Sequence, residues 1–312
     1  KVEAEKQTVE TIDFKGAVTC KREEDNVLVL DMAQWSEDGV NFEDTEEILR
    51  IDQKIRKRYD YPLASGSGAQ PWTVGKEKIS VFPTLRFTFD SNIETNVRLA
   101  FEEAEEVYFN GERVEIKVNG YFTDRSIHTM ELPPVKKGRN ELLIKAPLGR
   151  ALGLENYFLL GNFGVKLCGT EKTLIEPEER IGFGTVTNQG MPFYGGNLVY
   201  EAEFETKESG EVQITVSRYR GALLEVSVDD KAPQKLAFAP YKVNMGHLEK
   251  GKHTIRIKCF GNRYNSFGTL HMCDYQQDWI SPHEWYTEGS RWSYEYCLKD
   301  MGVISSPVIE IM

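Results

Sequence analysis

The sequence predicts an all-β protein built as two tandem β-sandwich domains related by internal duplication, with one short helix near residues 45–59. Three observations carry this. Short runs of alternating apolar and polar residues recur between Gly-, Asn- and Pro-containing turns, the pattern of half-buried strands. No βαβ alternation occurs, and a parallel crossover needs a helix of about ten or more residues. Finally, four stretches repeat in one order: Arg86-Phe87-Thr88-Phe89 with Glu201-Ala202-Glu203-Phe204, Val97 to Ala100 with Gln213 to Val216, Val107 to Gly111 with Val226 to Asp230, and Val135 to Lys145 with Leu248 to Lys258, where Gly138 falls under Gly251.

Taken in order, Gly16 to Cys20 and Val27 to Leu30 read as two strands joined by the charged turn Lys21 to Asn26, and complete the first sandwich. Asp44 or Thr45 caps a helix with Glu46 and Glu47 in its first turn, Ile48, Ile51 and Ile55 on one stripe, and a basic C-terminal half that is solvated; Tyr61-Pro62 stops it. Residues 64–72 form a small-residue loop ending at Trp72. Val107-Tyr108-Phe109, Asn110-Gly111 and Arg113 to Ile116 spell a hairpin, because both central residues of a type I′ turn take positive φ. Asn156 to Val165 closes the first sandwich, giving domains at 1–169 and 170–312, the second ending in an aromatic tail and the strand Pro307 to Ile311.

With 312 residues there is material for two cores, and a net charge of −11 argues against nucleic acid, whose phosphates demand clustered cations. No apolar run approaches the roughly 20 residues of a membrane-spanning helix, no signal-peptide core opens the chain, and localisation stays open for a chain read as soluble. The five cysteines, Cys20, Cys168, Cys259, Cys273 and Cys297, lack the spacing of a zinc site or a disulfide framework and read mostly as small buried residues. Walker, Gly-x-Ser-x-Gly and His-Glu-x-x-His motifs are absent.

Sugar recognition combines an aromatic face with planar polar groups for neighbouring hydroxyls. Candidate substrate-binding residues on that ground are Arg218, Tyr219 and Arg220, then Arg263, Tyr264, Asn265 and His271, and the tryptophans Trp72, Trp279 and Trp285. Trp292, in an alternating run to Tyr296, reads as an aromatic plug. Glycoside hydrolysis needs two carboxyl groups flanking the bond; Glu284, Glu288 and Asp274, which share the aromatic tail, are the weaker catalytic candidates.

Phe109-Asn110-Gly111-Glu112-Arg113-Val114, Gly120-Tyr121-Phe122 and Lys137-Gly138-Arg139-Asn140-Glu141-Leu142 resemble the jelly-roll, galactose-binding-like sugar-binding domain of family-2 glycoside hydrolases. Gly261 to His271 and Leu160-Gly161-Asn162-Phe163-Gly164-Val165 resemble the C-terminal sandwiches of large bacterial hydrolases related to family 2 and to α-L-rhamnosidases. The resemblance covers roughly residues 26 to 312. It implies two tandem jelly-roll β-sandwich domains, carbohydrate as partner, and a catalytic (β/α) barrel elsewhere in the parent chain, since none is recognisable here. A non-catalytic carbohydrate-binding or supporting region follows, with a complete small hydrolase or a purely structural spacer as rivals. No metal ligand set is marked and no cofactor is expected, although jelly-roll carbohydrate modules of this kind often hold a structural Ca²⁺.

Overall fold

The computed structural model describes residues 7–63, 78–273 and 286–312, and nearly all its regular structure is strand. Contacts divide the chain into two units that interleave in sequence. The insert unit comprises residues 26–176 and 267–298; the host unit comprises residues 1–25, 177–266 and 299–312. The boundary expected after residue 169 thus falls at Glu176–Pro177, and the two ends of the chain are apportioned differently from the expected 1–169 and 170–312. Strand pairing is the reason. Val18–Arg22 pairs with Leu198–Thr206, whereas Asn26–Leu30 pairs with Tyr157–Gly161. The charged segment from Lys21 to Asn26 is therefore a passage from one unit to the other, and the strands it joins belong to different sandwiches.

In the insert unit one sheet runs Gly120–Phe122, Asp124–Glu131, Val97–Phe101, Tyr157–Gly161, Asn26–Leu30. The other contains Thr84–Ser91, Gly138–Lys145, Glu106–Phe109 and Glu112–Val114 in that order, extended beyond Thr84–Ser91 by Glu171–Ile175 and Gly164–Cys168 and joined there by Met32–Ser36. Leu28, Leu99 and Leu159 of the first sheet and Leu85, Leu142 and Ile144 of the second are all buried, and across the two sheets Phe87 and Tyr157 bring their rings to 5.5 Å.

The host unit repeats this plan. Leu198–Thr206, Gly251–Phe260, Leu223–Val228 and Gln234–Leu236 follow in the same order, with Val18–Arg22 in the place of Met32–Ser36. The facing sheet is Glu10–Asp13, Val308–Ile311, Gly210–Thr215, Lys242–Leu248. Cys20, Leu198, Tyr200 and Ile257 from one sheet share a core with Val212, Ile214, Ile309 and Ile311 from the other. All four sequence matches fall on corresponding strands.

The repeat extends to single hydrogen bonds. Asn110, at φ 50°, donates its backbone N–H to Glu141 O at 2.8 Å and accepts the Glu141 N–H on Oδ1 at 2.9 Å. Asp229, at φ 49°, does the same with Thr254 at 2.9 and 2.8 Å. Gly111, at φ 84°, completes the left-handed pair that the hairpin requires.

The helix spans Ile48–Arg58, shorter at its start than expected, because Glu43–Glu47 is a strand on Met32–Ser36 and Glu47 is the cap. Ile48, Ile51 and Ile55 are fully buried, as their spacing predicts. Arg56 is a correction: it lies buried on Asp52 at 2.6 Å. Asp60, at φ 53°, ends the helix, with the Tyr61 N–H reaching back to Arg56 O at 2.9 Å, a Schellman closure. Of the cysteines only Cys20 and Cys259 are buried.

Candidate functional site

The insert unit carries an open cleft with about 710 Å³ of empty space, counted out to open solvent. Its floor grows from the buried strand Asn26–Leu30, which delivers Asp31 into the interior with 2% of its side chain exposed. Lys172, on Glu171–Ile175, donates to Asp31 Oδ1 at 2.7 Å, and the Tyr296 hydroxyl donates to the same oxygen at 2.5 Å. His271 Nε2 stands 3.2 Å from Oδ2, and its Nδ1 stands 2.9 Å from the Ser293 carbonyl. Both ring nitrogens thus face acceptors, which suits the imidazolium. Burial alone would lower the His271 pKa, but the Asp31 carboxylate outweighs it and the net direction is upward. Burial likewise opposes ionisation of Asp31, yet Lys172 and then His271 hold it well below the ordinary carboxylate range.

Glu47 stands beside this group because the Ile48 N–H bonds to the Asp31 carbonyl at 2.8 Å. Its side chain caps the helix by accepting the Arg50 N–H at 3.1 Å, and only 4% of the residue is exposed. Burial, opposed in part by helix N–H groups and His271 and reinforced by the Asp31 charge, pushes its carboxyl up to about 7. A buried acid half-ionised near neutrality on a cleft wall marks a site candidate.

The aromatic wall comes from the tail. Trp292 lies 4.2 Å from the Arg50 guanidinium and 4.4 Å, edge to face, from Tyr294. Arg50 is bound to Glu46 at 2.9 Å and donates to the Thr287 carbonyl, while Thr287 Oγ1 donates to Gln53 at 3.0 Å. Phe158 and Phe267, with centroids 5.2 Å apart, and Tyr286 add further rings. At the mouth stand Glu102, Glu155 and Asn156. Although both glutamates keep solvent contact, desolvation within the concave wall pushes each upward, and the Glu102 charge adds to the effect on Glu155. The helix positions this side as well: Asp52 accepts the Leu154 N–H at 3.0 Å, and Arg56 donates to the carbonyls of Leu152 and Arg150 at 3.1 and 3.3 Å.

Of the residues read from sequence, His271 lines this cleft. Arg218, Tyr219 and Arg220 lie in the host unit, where Arg218 O accepts from Ile304 and Ser305, Tyr219 bonds Leu236 O at 3.3 Å and Arg220 bonds Tyr219 O at 3.2 Å. Arg263, Tyr264 and Asn265 are also in the host unit. Arg263 grips the Glu24 carboxylate at 2.6 and 2.7 Å, the Lys299 ammonium lies over Tyr264, and buried Asn265 exchanges bonds with the Lys299 backbone at 2.8 and 2.9 Å. Glu288 is exposed. Trp72, Trp279, Trp285, Glu284 and Asp274 lie outside the described residues. Trp292, read as a plug in a strand, is half-buried on the cleft wall; its run makes a single bridge to Met272. Sequence reasoning missed Asp31, Glu47, Glu102, Glu155 and Lys172. The one signal available was an Asp ending an uninterrupted apolar strand. Among the described residues no group of three or more His, Cys, Asp or Glu converges as metal ligands, and no helix is long and apolar enough to cross a membrane.

No family model and no curated protein matches this chain. Among solved structures it is similar to a rhamnosidase from Novosphingobium sp. PP1Y, at 14% identity over 83% of this chain and 26% of that one, with a TM-score of 0.29. It is also similar to a GH2 beta-galacturonidase from Eisenbergiella tayi, at 13% identity over 78% of this chain and 37% of that one, TM-score 0.25. A third is an exo-chitosanase from Amycolatopsis orientalis, at 12% identity over 76% and 29%, TM-score 0.30. The chain therefore spans between 26% and 37% of the length of these three. Likeness at this level assigns no activity to it.

Proposed function

We propose that this chain is a non-catalytic carbohydrate-binding region of a larger bacterial glycoside hydrolase, and that the sugar is held in the insert-unit cleft. The observation that carries the reading is the meeting of aromatic rings and hydrogen-bonding side chains in one concave wall: Trp292 and Tyr286 for the C–H face of a sugar ring, Thr287, Asn156 and the glutamates for its hydroxyls. A supporting contact with a catalytic barrel elsewhere in the parent chain belongs to the same reading. A structural Ca²⁺ would have to draw ligands from backbone carbonyls, given the sparse carboxylate convergence among the described residues.

The rival reading, a complete hydrolase, needs a free carboxylate to work with the protonated form of Glu47. Asp31 does not supply one, since both of its oxygens are taken up by Lys172, Tyr296 and His271; Glu102 and Glu155 are the carboxylates of this cleft that such a reading would have to use.

The test is titration with a broad panel of oligosaccharides, followed by tryptophan fluorescence. A binder should change the emission, and Trp292→Phe should remove that change and weaken binding at least fivefold with the fold intact. Silence across the panel, or binding indifferent to Trp292, would overturn the proposal in favour of a structural spacer.

A further inference from the structure

We propose that the cleft of the insert unit selects a sugar bearing a protonated amine, held by ring contact with Trp292 and by charge contact with Glu47, Glu102 and Glu155. This rests on the carbohydrate reading above and adds the chemical class of ligand.

The charge balance of the cleft is the first ground. Among the described residues no Lys or Arg lines it. The cations nearest its floor and aromatic wall are already committed, Lys172 and His271 to Asp31 and Arg50 to Glu46. Glu47, Glu102 and Glu155 have no Lys or Arg ion pair among the described residues. A neutral sugar would leave these carboxyl groups without a counter-charge, although Glu102 and Glu47 already act on Glu155 as like charges. An ammonium provides that counter-charge and supplies three donors.

The second ground is the polarity of the hydrogen-bonding wall. Asn156 Oδ1 is buried and accepts no hydrogen bond among the described residues. Together with the glutamate oxygens it makes the wall rich in acceptors, so the matching ligand is rich in donors. The third ground separates an organic cation from a bare one. Among the described residues the carboxylates do not converge as a metal ligand set, and a metal ion would gain nothing from rings such as Trp292, whereas an amine on a sugar ring uses both features.

The experiment compares three probes by calorimetry on the whole chain at low salt: unacetylated oligomers of glucosamine and of galactosamine, the same oligomers N-acetylated, and the corresponding neutral gluco- and galacto-oligomers. The amine-bearing probes should bind at least tenfold tighter than their acetylated and neutral counterparts, and should weaken as salt is raised. Glu102→Gln and Glu155→Gln, at exposed positions that leave folding alone, should together erase most of that preference, and Glu47→Gln should weaken amine binding further. Equal affinity for charged and uncharged probes, with Trp292 still reporting, would overturn the amine preference and leave the carbohydrate reading standing. Loss of all three probe classes would overturn both. Amine binding that ignores Trp292 and the glutamates alike would place the cation elsewhere and overturn this proposal.

Discussion

Glu47 makes folding and the cleft depend on the same proton. Its carboxyl is raised from 4.5 to about 7 in the folded chain, by burial first. Between those values the folded state keeps a proton that the unfolded state has released, so stability falls as pH rises through that window. At about 1.4 kcal/mol per unit, the loss reaches about 3 kcal/mol once both states are ionised. Glu47→Gln removes this dependence while keeping an oxygen for the helix cap. The variant should match the parent near pH 4.5 and exceed it by about 2–3 kcal/mol at pH 8 in urea unfolding; parallel profiles across that range would refute the assignment. Asp31 works in the opposite sense. Its lowered folded value stabilises above the ordinary carboxylate pKa and that stability is lost as pH falls from there toward the lowered value, while the raised His271 value contributes fully below about 6.5 and is lost as pH rises from there through the raised value. Lys172→Met strands the Asp31 charge with fewer partners and should cost about 3–5 kcal/mol at neutral pH. The deficit should shrink in acid, where Asp31 protonates more readily without its lysine; a constant deficit would point to lost packing instead. His271 stood out in the sequence as a planar polar group close to Arg263, Tyr264 and Asn265, and it lines the cleft that those three do not. Asp31 and Glu47 were hidden among 49 acids, since burial and partners, not residue type, distinguish them.

At the scale of elements, the helix Ile48–Arg58 shows where local pattern succeeds and where it stops. The spacing of Ile48, Ile51 and Ile55 reports a buried stripe directly. Its start was misplaced because Glu43–Glu47, with four acids in five residues, has no strand propensity of its own and is drawn into the sheet by Met32–Ser36. Arg56 was misread for the same reason: nothing local tells a solvated arginine from one that meets Asp52 and three loop carbonyls. That buried pair fixes residues 150–154, next to Glu155 and Asn156, so its loss should reach the cleft. Asp52→Ala leaves the Arg56 cation uncompensated, and about 3–5 kcal/mol of stability should go with it. Replacing both, Asp52→Leu with Arg56→Met, should recover much of that stability. Ligand affinity should stay reduced in the double variant, because the loop carbonyls have lost their donor. Recovery of affinity together with stability would show that the loop is held by other contacts.

At the scale of the whole chain, the repeat was legible because its signals are local: a left-handed turn residue, a glycine opening the next strand, and alternation after it. The division was not, because it rests on pairings such as Glu10 with Ile311 and Cys20 with Tyr200, which span most of the sequence and leave no mark on composition. Those pairings determine what happens when the chain is cut. Residues 170–312, the half that sequence alone would isolate, lack Val18–Arg22 and Glu10–Asp13. Leu198–Thr206 then loses its partner on one side, and Val308–Ile311 becomes an open edge. Cys20 and Phe14 also leave the core of the host unit. An unpaired apolar strand edge invites association between chains. Expressed alone, residues 170–312 should therefore aggregate or show no cooperative unfolding. The remedy is specific. Residues 7–25 lie against the start of the returning chain, since Arg180 pairs with Thr19 and the Cys20 N–H reaches Glu179 O at 2.8 Å. A short glycine-serine link from Asp25 to Pro177 should thus be able to close the gap left by residues 26–176, and a second from Ser266 to Lys299, where Asn265 already bonds the Lys299 backbone, the gap left by residues 267–298; a fusion of 7–25, 177–266 and 299–312 should regain β-type circular dichroism and a single unfolding transition. If the isolated 170–312 fragment melts as cooperatively as that fusion, the N-terminal strands do not belong to the host fold, and the interleaved order proposed by these pairings is wrong.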